Sequence, residues 1–239
     1  MGAFYVGTSG FAFPEWKHGA FYPEGLKDRE MLSYYASRFR SVEINYTFRR
    51  HPAEKTLLTW RETTPEGFVF VVKAHQRITH TLRLAEPGDA LPYFLERVRP
   101  LGDRLGPVLF QCPPSLKFDR ERLEGFLAAL PPELKAAFEF RHESWAEAKP
   151  LLLERGAAWC LAETDEQPYE SPDLDSGAFV YLRLRRDEYQ EEDLVAWSGR
   201  IRGALDRGTD VFCFVKHEEG AAGPQYAQRL TELVGNGAT

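Results

Sequence analysis

Eight short apolar runs, rich in β-branched and aromatic residues, recur along the whole chain, and their spacing limits what it can fold into. They are FYVGTS (4–9), SVEINYTF (41–48), FVFVVKA (68–74), PVLFQC (107–112), AAFEFRH (136–142), AAWCLAE (157–163), AFVYLRL (178–184) and DVFCFVK (210–216). Their starts lie roughly 20–40 residues apart, about the length of one strand-plus-helix unit. Helical patterns stand between most of them. Leu123, Phe126, Leu127 and Leu130 follow a capping Asp119, and Leu91, Phe94, Leu95, Val98 and Leu101 follow Asp89, each at the 3–4-residue spacing of an amphipathic helix. Residues 26–39, 190–206 and 225–234 show the same period, and Pro52 stands as the first position of a helix through Leu57, Leu58 and Trp60.

Two units are irregular. After the fifth run, Ser144 to Glu147 forms a capping box, but Pro150 interrupts the helical stretch behind it and predicts two short helical pieces. After the sixth, DEQPYESPDLDSG has no helical period and reads as a loop. No linker divides the chain, which predicts one domain over residues 1–239.

Strands alternating with helices make a parallel sheet. An open doubly wound sheet would carry GxGxxG after its first strand. Here Gly7-Thr8-Ser9-Gly10-Phe11-Ala12-Phe13 lacks the third glycine and leads into no helix. Eight similar units in 239 residues fit an α/β fold of the other kind, a single (β/α)8 TIM-like barrel, irregular after strands five and six.

In such a barrel the functional groups sit where strands end. The strand ends read Ser9; Glu43 and Asn45; Lys73; Gln111; Glu139 and Arg141; Glu163 with Asp165; Arg183; and Lys216 with His217. Every strand ends polar. Any one of these residues can be a solvated or paired charge, yet a whole ring of ionisable groups is expensive to desolvate and marks a ligand site. Lys73, Arg141, Arg183, Arg185 and Lys216, with His80 near, outnumber Glu43, Glu139 and Asp165. A cationic mouth favours an anionic small molecule, a phosphate ester or a carboxylate. The loop 11–25 is crowded with aromatics; either it roofs the cleft, with Trp16 touching ligand, or Phe13, Trp16, Phe21 and Tyr22 form a satellite core.

The net charge of −6 argues against a general nucleic-acid or anionic-membrane binder, and no apolar run approaches the ~20 residues of a membrane span. The N-terminal MGAFYVGTSG carries no leader pattern. Cys112, Cys160 and Cys213 each lie inside an apolar run and read as free thiols, which points to a cytoplasmic protein. The scarcity of asparagine and methionine hints at a thermophile, although a GC-rich genome accounts for the arginine excess equally well.

Other chemistries find weaker support. His75, His80, His142 and His217 all fall beyond strand ends, so a divalent metal is geometrically allowed, but no HxH or HExxH spacing supports one and no cofactor is expected. Ser9 and Ser115 lack a GxSxG context, and there is no P-loop. Glu43 and Glu139 would suit glycoside hydrolysis only at a defined separation.

GTSG (7–10), PEW (14–16), FYPEGL (21–26), VEIN-x-TF (42–48), Lys73-Ala74 with ITH (78–80), GPVLFQ-x-PP (106–114) and FEFRH-x-SW (138–145) resemble the family known as domain of unknown function 72 over essentially the whole chain. The resemblance implies a TIM-like barrel and supplies no reaction. Its motif positions fall on Ser9, Glu43, Asn45, Lys73, His80, Gln111, Glu139 and Arg141. The chain departs from the family pattern at Arg49, at Arg185-Arg186 and at Lys216-His217, with cations in place of neutral or weakly basic groups. These departures predict a more anionic ligand.

Three readings result. In the first, an enzyme uses Glu139 or Glu43 as general base and Lys73 or His80 as acid, with Asp165 nearby and Arg141, Arg183 and Lys216 holding an anionic metabolite. In the second, the same cations serve a non-catalytic binding protein. The third is a metal-dependent phosphoester hydrolase.

Overall fold

Strands form at all eight apolar runs: β1 (Phe4–Thr8), β2 (Ser41–Ile44), β3 (Val69–Lys73), β4 (Leu105–Gln111), β5 (Ala136–Glu139), β6 (Ala158–Glu163), β7 (Val180–Leu184) and β8 (Val211–Val215). The computed structural model describes residues 1–86, 88–171, 174, 176–216 and 221–235. All the strand pairings are parallel, in the order β1-β8-β7-β6-β5-β4-β3-β2. A parallel bridge between Ser9 and Glu43 joins β1 to β2 and closes the ring. The fold is the expected (β/α)8 barrel.

The β1–β2 closure uses a side chain in place of a full ladder. The Tyr35 hydroxyl accepts from the Thr8 backbone N–H (2.7 Å) and donates to the Ser41 carbonyl (3.2 Å). Gly7 makes room for this, because a Cβ there would lie 1.9 Å from the Ser41 oxygen and 2.7 Å from the Tyr35 hydroxyl.

Helices α1 (Met31–Ala36), α2 (Glu54–Thr63), α3 (Ala90–Val98), α4 (Arg120–Ala129), α5 (Lys149–Arg155), α6 (Glu191–Asp206) and α7 (Ala222–Gly235) follow the strands. Their apolar stripes, such as Leu91, Phe94 and Val98 on α3 and Leu194, Trp197 and Ile201 on α6, are buried in one large cluster with alternate strand residues. The other strand faces fill the barrel itself, with Val71, Leu109, Ala137, Cys160, Tyr181 and Phe214 in a second, smaller cluster. Because strand side chains alternate, residues in register with this second set point inward.

The irregular units behave as expected. A 3-10 turn (Glu143–Ala148) precedes α5, with Pro150 in the first turn of that helix, and no helix occurs between β6 and β7 among the described residues. Some boundaries differ. Residues 26–39 give only a 3-10 turn and the short α1. Pro52 lies ahead of α2, whose N-cap is Ala53. The turn at 143–148 is capped by His142, whose side chain accepts from the Ser144 N–H, while the Ser144 hydroxyl accepts from the Phe118 N–H.

The loop after β1 requires a correction. Trp16 is fully buried, 4.7 Å from Phe13 and 5.8 Å from Phe21 by ring centroids. It packs with Tyr22 in the large apolar cluster, the core alternative for this loop, and has no surface exposed to the cleft. The loop instead presents Phe11 and Phe13 to the cleft.

Candidate functional site

Alternation along the strands delivers the polar residues inward. On β7, Tyr181 faces the barrel, so Arg183 and then Arg185 do as well; on β5, Ala137 is followed by Glu139 and Arg141. β2 contributes Glu43 and then Asn45, β3 ends in Lys73 and β4 in Gln111. Glu163 has the opposite parity. It lies between β6 and α6, accepting from the Tyr189 hydroxyl (2.8 Å) and the Trp197 indole (3.1 Å), so its role is to hold the helix layer.

The deepest polar layer is an ion triad. Arg183 is 2% exposed, donating to Glu43 Oε1 (2.8 Å) and to Glu139 Oε2 (2.5 Å). Glu43 also accepts from Ser9 (2.8 Å) and Asn45 (3.0 Å) on Oε1 and from Tyr181 (2.7 Å) on Oε2. Glu139 takes a further bond from Arg141 (3.0 Å), with Arg185 3.7 Å away. Burial pushes both carboxyls up, but the arginines overcome it. Glu139 falls to about 2 under Arg183, Arg141 and Arg185, and Glu43 falls below its ordinary value under Arg183 and its hydrogen bonds. Burial, together with the Glu43 charge, pushes the Tyr181 phenol well up. Thus both acids are fixed as carboxylates.

Lys73 stands apart. Its Nζ donates to the neutral Gln111 amide (2.6 Å) and lies 4.2 Å over the Phe48 ring. Burial and the Arg183 guanidinium push the amine down to about 8, while Glu43 and Glu139 pull the other way. His80 is carried on a single π-helical turn (Arg77–Thr81) and packs edge-on against Phe48, 5.0 Å between centroids. Such turns recur at functional sites. Burial, Lys73 and Arg141 together depress His80.

Two cavities open above this layer. One, of about 950 Å³, is walled by Phe11, Phe13, Phe48 and Trp60 and holds Lys73, Asn45 and Arg49. The other, of about 1600 Å³, holds Arg141, Arg186 and Lys149. Arg185 and Lys216 border both. The substituted cations Arg49, Arg185, Arg186 and Lys216 therefore all line the mouth; His217 lies outside the described residues. Asp165 sits on the rim of the larger cavity, which Glu139 also lines, accepting from the Asp187 N–H and lying 3.6 Å from Arg186.

The remaining histidines are dispersed. His75 stacks on His51 (4.6 Å) and His142 caps its turn. Among the described residues no three His, Cys, Asp or Glu side chains are gathered to hold a metal. The oxygens of Glu43 and Glu139 are already engaged by Arg183, Ser9, Asn45, Tyr181 and Arg141. Arg185 and Arg49, expected among the cations of the mouth, both line it, whereas Phe11, Phe48 and Trp60 were not expected as walls. No local signal marks these wall residues.

An eight-stranded (β/α)8 barrel with a charged cluster at its C-terminal mouth defines the class. Within that class the profile of the family described as "Protein of unknown function DUF72" matches residues 5–239, and the chain belongs to that family. A DUF72 family protein from Thermotoga maritima superposes with a TM-score of 0.84 at 28% identity, over 98% of this chain and 99% of that one. The UPF0759 protein YunF of Bacillus subtilis is 26% identical over 82% of this chain and 70% of its own length. The UPF0759 protein YecE of Escherichia coli is 33% identical over 54% of this chain, a stretch spanning about half (47%) of that relative's length.

Proposed function

We propose that the protein is an enzyme performing acid–base chemistry on a small anionic metabolite, with Lys73 as the proton-transferring group. One observation carries this reading: the two buried carboxylates are already engaged by Arg183, and Glu139 by Arg141 as well, while the groups facing the smaller cavity, Lys73, Arg49, Arg185 and Lys216, are cationic. A carboxylate or phosphate entering there meets a surplus of positive charge. A group titrating near neutrality suits proton transfer, and Lys73 is pushed down towards it, to about 8. Glu139, held at about 2, is too weak a base for that work and orients Arg141 and Arg185 instead. The same engagement of Glu43 and Glu139 leaves a metal-dependent hydrolase without its oxygen ligands. Three buried free thiols suit a reducing compartment, in keeping with a cytoplasmic site of action.

The test is a thermal-shift panel of phosphorylated and carboxylated metabolites, with EDTA and with Mn²⁺, followed by turnover assays on the hits. A ligand at 100 times its Kd stabilises by about 2.7 kcal/mol. The expected result is a shift that survives EDTA, with turnover lost in Lys73→Arg while binding remains. Binding without turnover in the parent chain would make this a binding protein, and a shift appearing only with Mn²⁺ would sink the metal-free reading.

A further inference from the structure

We infer that the smaller cavity takes carbonyl-bearing anions, short keto acids or phosphorylated ketones and aldehydes, and holds them covalently as an imine on Lys73. This rests on the anionic-metabolite reading above and narrows it to one substrate class.

The first ground is what surrounds the amine. A structural lysine at a barrel mouth would be matched with a carboxylate, and two carboxylates stand in the same layer. Arg183 takes both, and Lys73 is left with a neutral acceptor, Gln111, and the face of Phe48. Among the described residues no carboxylate lies within ion-pair distance of Lys73. A neutral amine that donates one N–H to Gln111 keeps its lone pair unengaged. Cations next to a desolvated lysine are a recognised way of making it nucleophilic at neutral pH. Arg183 and Arg141 act in that direction here, opposed by Glu43 and Glu139, and His80 lies near enough to feel Lys73.

The second ground is the cavity. Phe11, Phe13, Phe48 and Trp60 give an apolar wall beside the amine, which favours the loss of water that imine formation requires. Arg49, Arg185 and Lys216 line the same space and offer an anchor for a carboxylate or phosphate. A keto acid or keto phosphate carries its electrophilic carbon and its anionic group on one small frame. The cavity, about 950 Å³, has room for both.

The chemistry balances without an added co-reactant. The Lys73 nitrogen bonds to the carbonyl carbon while the carbonyl electron pair moves to oxygen, and one amine proton transfers to that oxygen. A second proton, from solvent, lets the hydroxyl leave as water as the nitrogen lone pair forms the C=N bond. The product is a protonated imine plus water, and the imine withdraws electrons from the neighbouring carbon. Hydrolysis reverses each step.

The experiment is borohydride trapping on the full chain, with pyruvate and dihydroxyacetone phosphate as probes and lactate and glycerol 3-phosphate as alcohol controls. Intact mass, peptide mapping and thermal shift are read on the same samples. The expected result is a mass gain equal to the carbonyl probe less one oxygen, confined to the Lys73 peptide. Its rate should rise with pH and level off above about 8. Lys73→Arg and Lys73→Gln should give no adduct, with the alcohol-induced shift kept in Lys73→Arg. Equal labelling of surface lysines such as Lys55 and Lys117 would overturn the inference. So would equal thermal shifts from ketone and alcohol without any adduct, although the anion site itself would then stand. No adduct and no shift from any probe would remove both readings.

Discussion

The ion triad beneath the mouth and the cation ring above it are built from the same residue types, one strand repeat apart. Arg183 and Arg185 share a strand face, as do Glu139 and Arg141, so each pair is separated by about 6.6 Å along the strand. Yet the Arg183 and Glu139 side chains are 2% and 3% exposed, whereas those of Arg185 and Arg141 are 20% and 37% exposed. Depth decides the role. In the lower layer one guanidinium serves two carboxylates, so Ser9, Asn45 and Tyr181 add hydrogen bonds to Glu43 and Arg141 reaches down to Glu139. In the upper layer solvent lowers the penalty for excess cations, and a surplus of them can await a ligand.

The largest expected effect breaks the lower layer. Arg183→Met strands two buried carboxylates and should lower stability by about 3–5 kcal/mol, read from urea unfolding. The equivalent change above, Arg141→Met, should cost under about 1 kcal/mol. Equal losses would erase the distinction between the layers.

A pH series separates the layers by window, one acid and one alkaline. Glu139 sits at about 2 in the fold against an ordinary 4.5, so on acidification the unfolded chain binds its proton first. Its stabilisation is therefore complete above about 4.5 and is lost as pH falls towards about 2. Lys73, pushed from 10.5 down to about 8, has the same direction of slope in an alkaline window, but its contribution is unfavourable. Between those values the unfolded chain holds more protons, so this group makes stability rise with pH; its unfavourable contribution is fully present below about 8. Lys73→Met should accordingly gain roughly 1–2 kcal/mol at pH 7, after discounting for partial exposure, while losing function. A Lys73→Met chain that is less stable than its parent would show the amine to be a structural residue.

The architecture was readable because it depends on local periodicities: eight apolar runs, amphipathic stripes between them, Pro150 where a helix divides. The candidate site was half readable. Strand ends named Glu43, Lys73, Gln111, Glu139, Arg141 and Arg183, and the fold gathers them. Parity within the strand, applied strictly, would have set Glu163 aside. What no local pattern carries is depth and long-range contact. Nothing in the sequence around Trp16 distinguishes a cleft roof from a core residue, and the hydroxyl of Tyr35 meets Thr8 and Ser41 only once the ring closes.

The smallest expected effect lies on the rim and tests whether the upper layer acts as a field. Lys216 is exposed and borders both cavities. Lys216→Ala should leave stability within about 0.5 kcal/mol of the parent, as for most surface changes. It should weaken binding of a dianionic probe severalfold at low ionic strength. Exposed charges are screened over about 8–10 Å at physiological salt, so that deficit should shrink as salt is raised. The loss caused by Arg185→Ala should persist further into high salt, because Arg185 is more buried and lies beside Glu139. If both deficits fade with salt in parallel, the rim is one undifferentiated cloud of charge. If they part, the anion is gripped at Arg185 and only steered by Lys216.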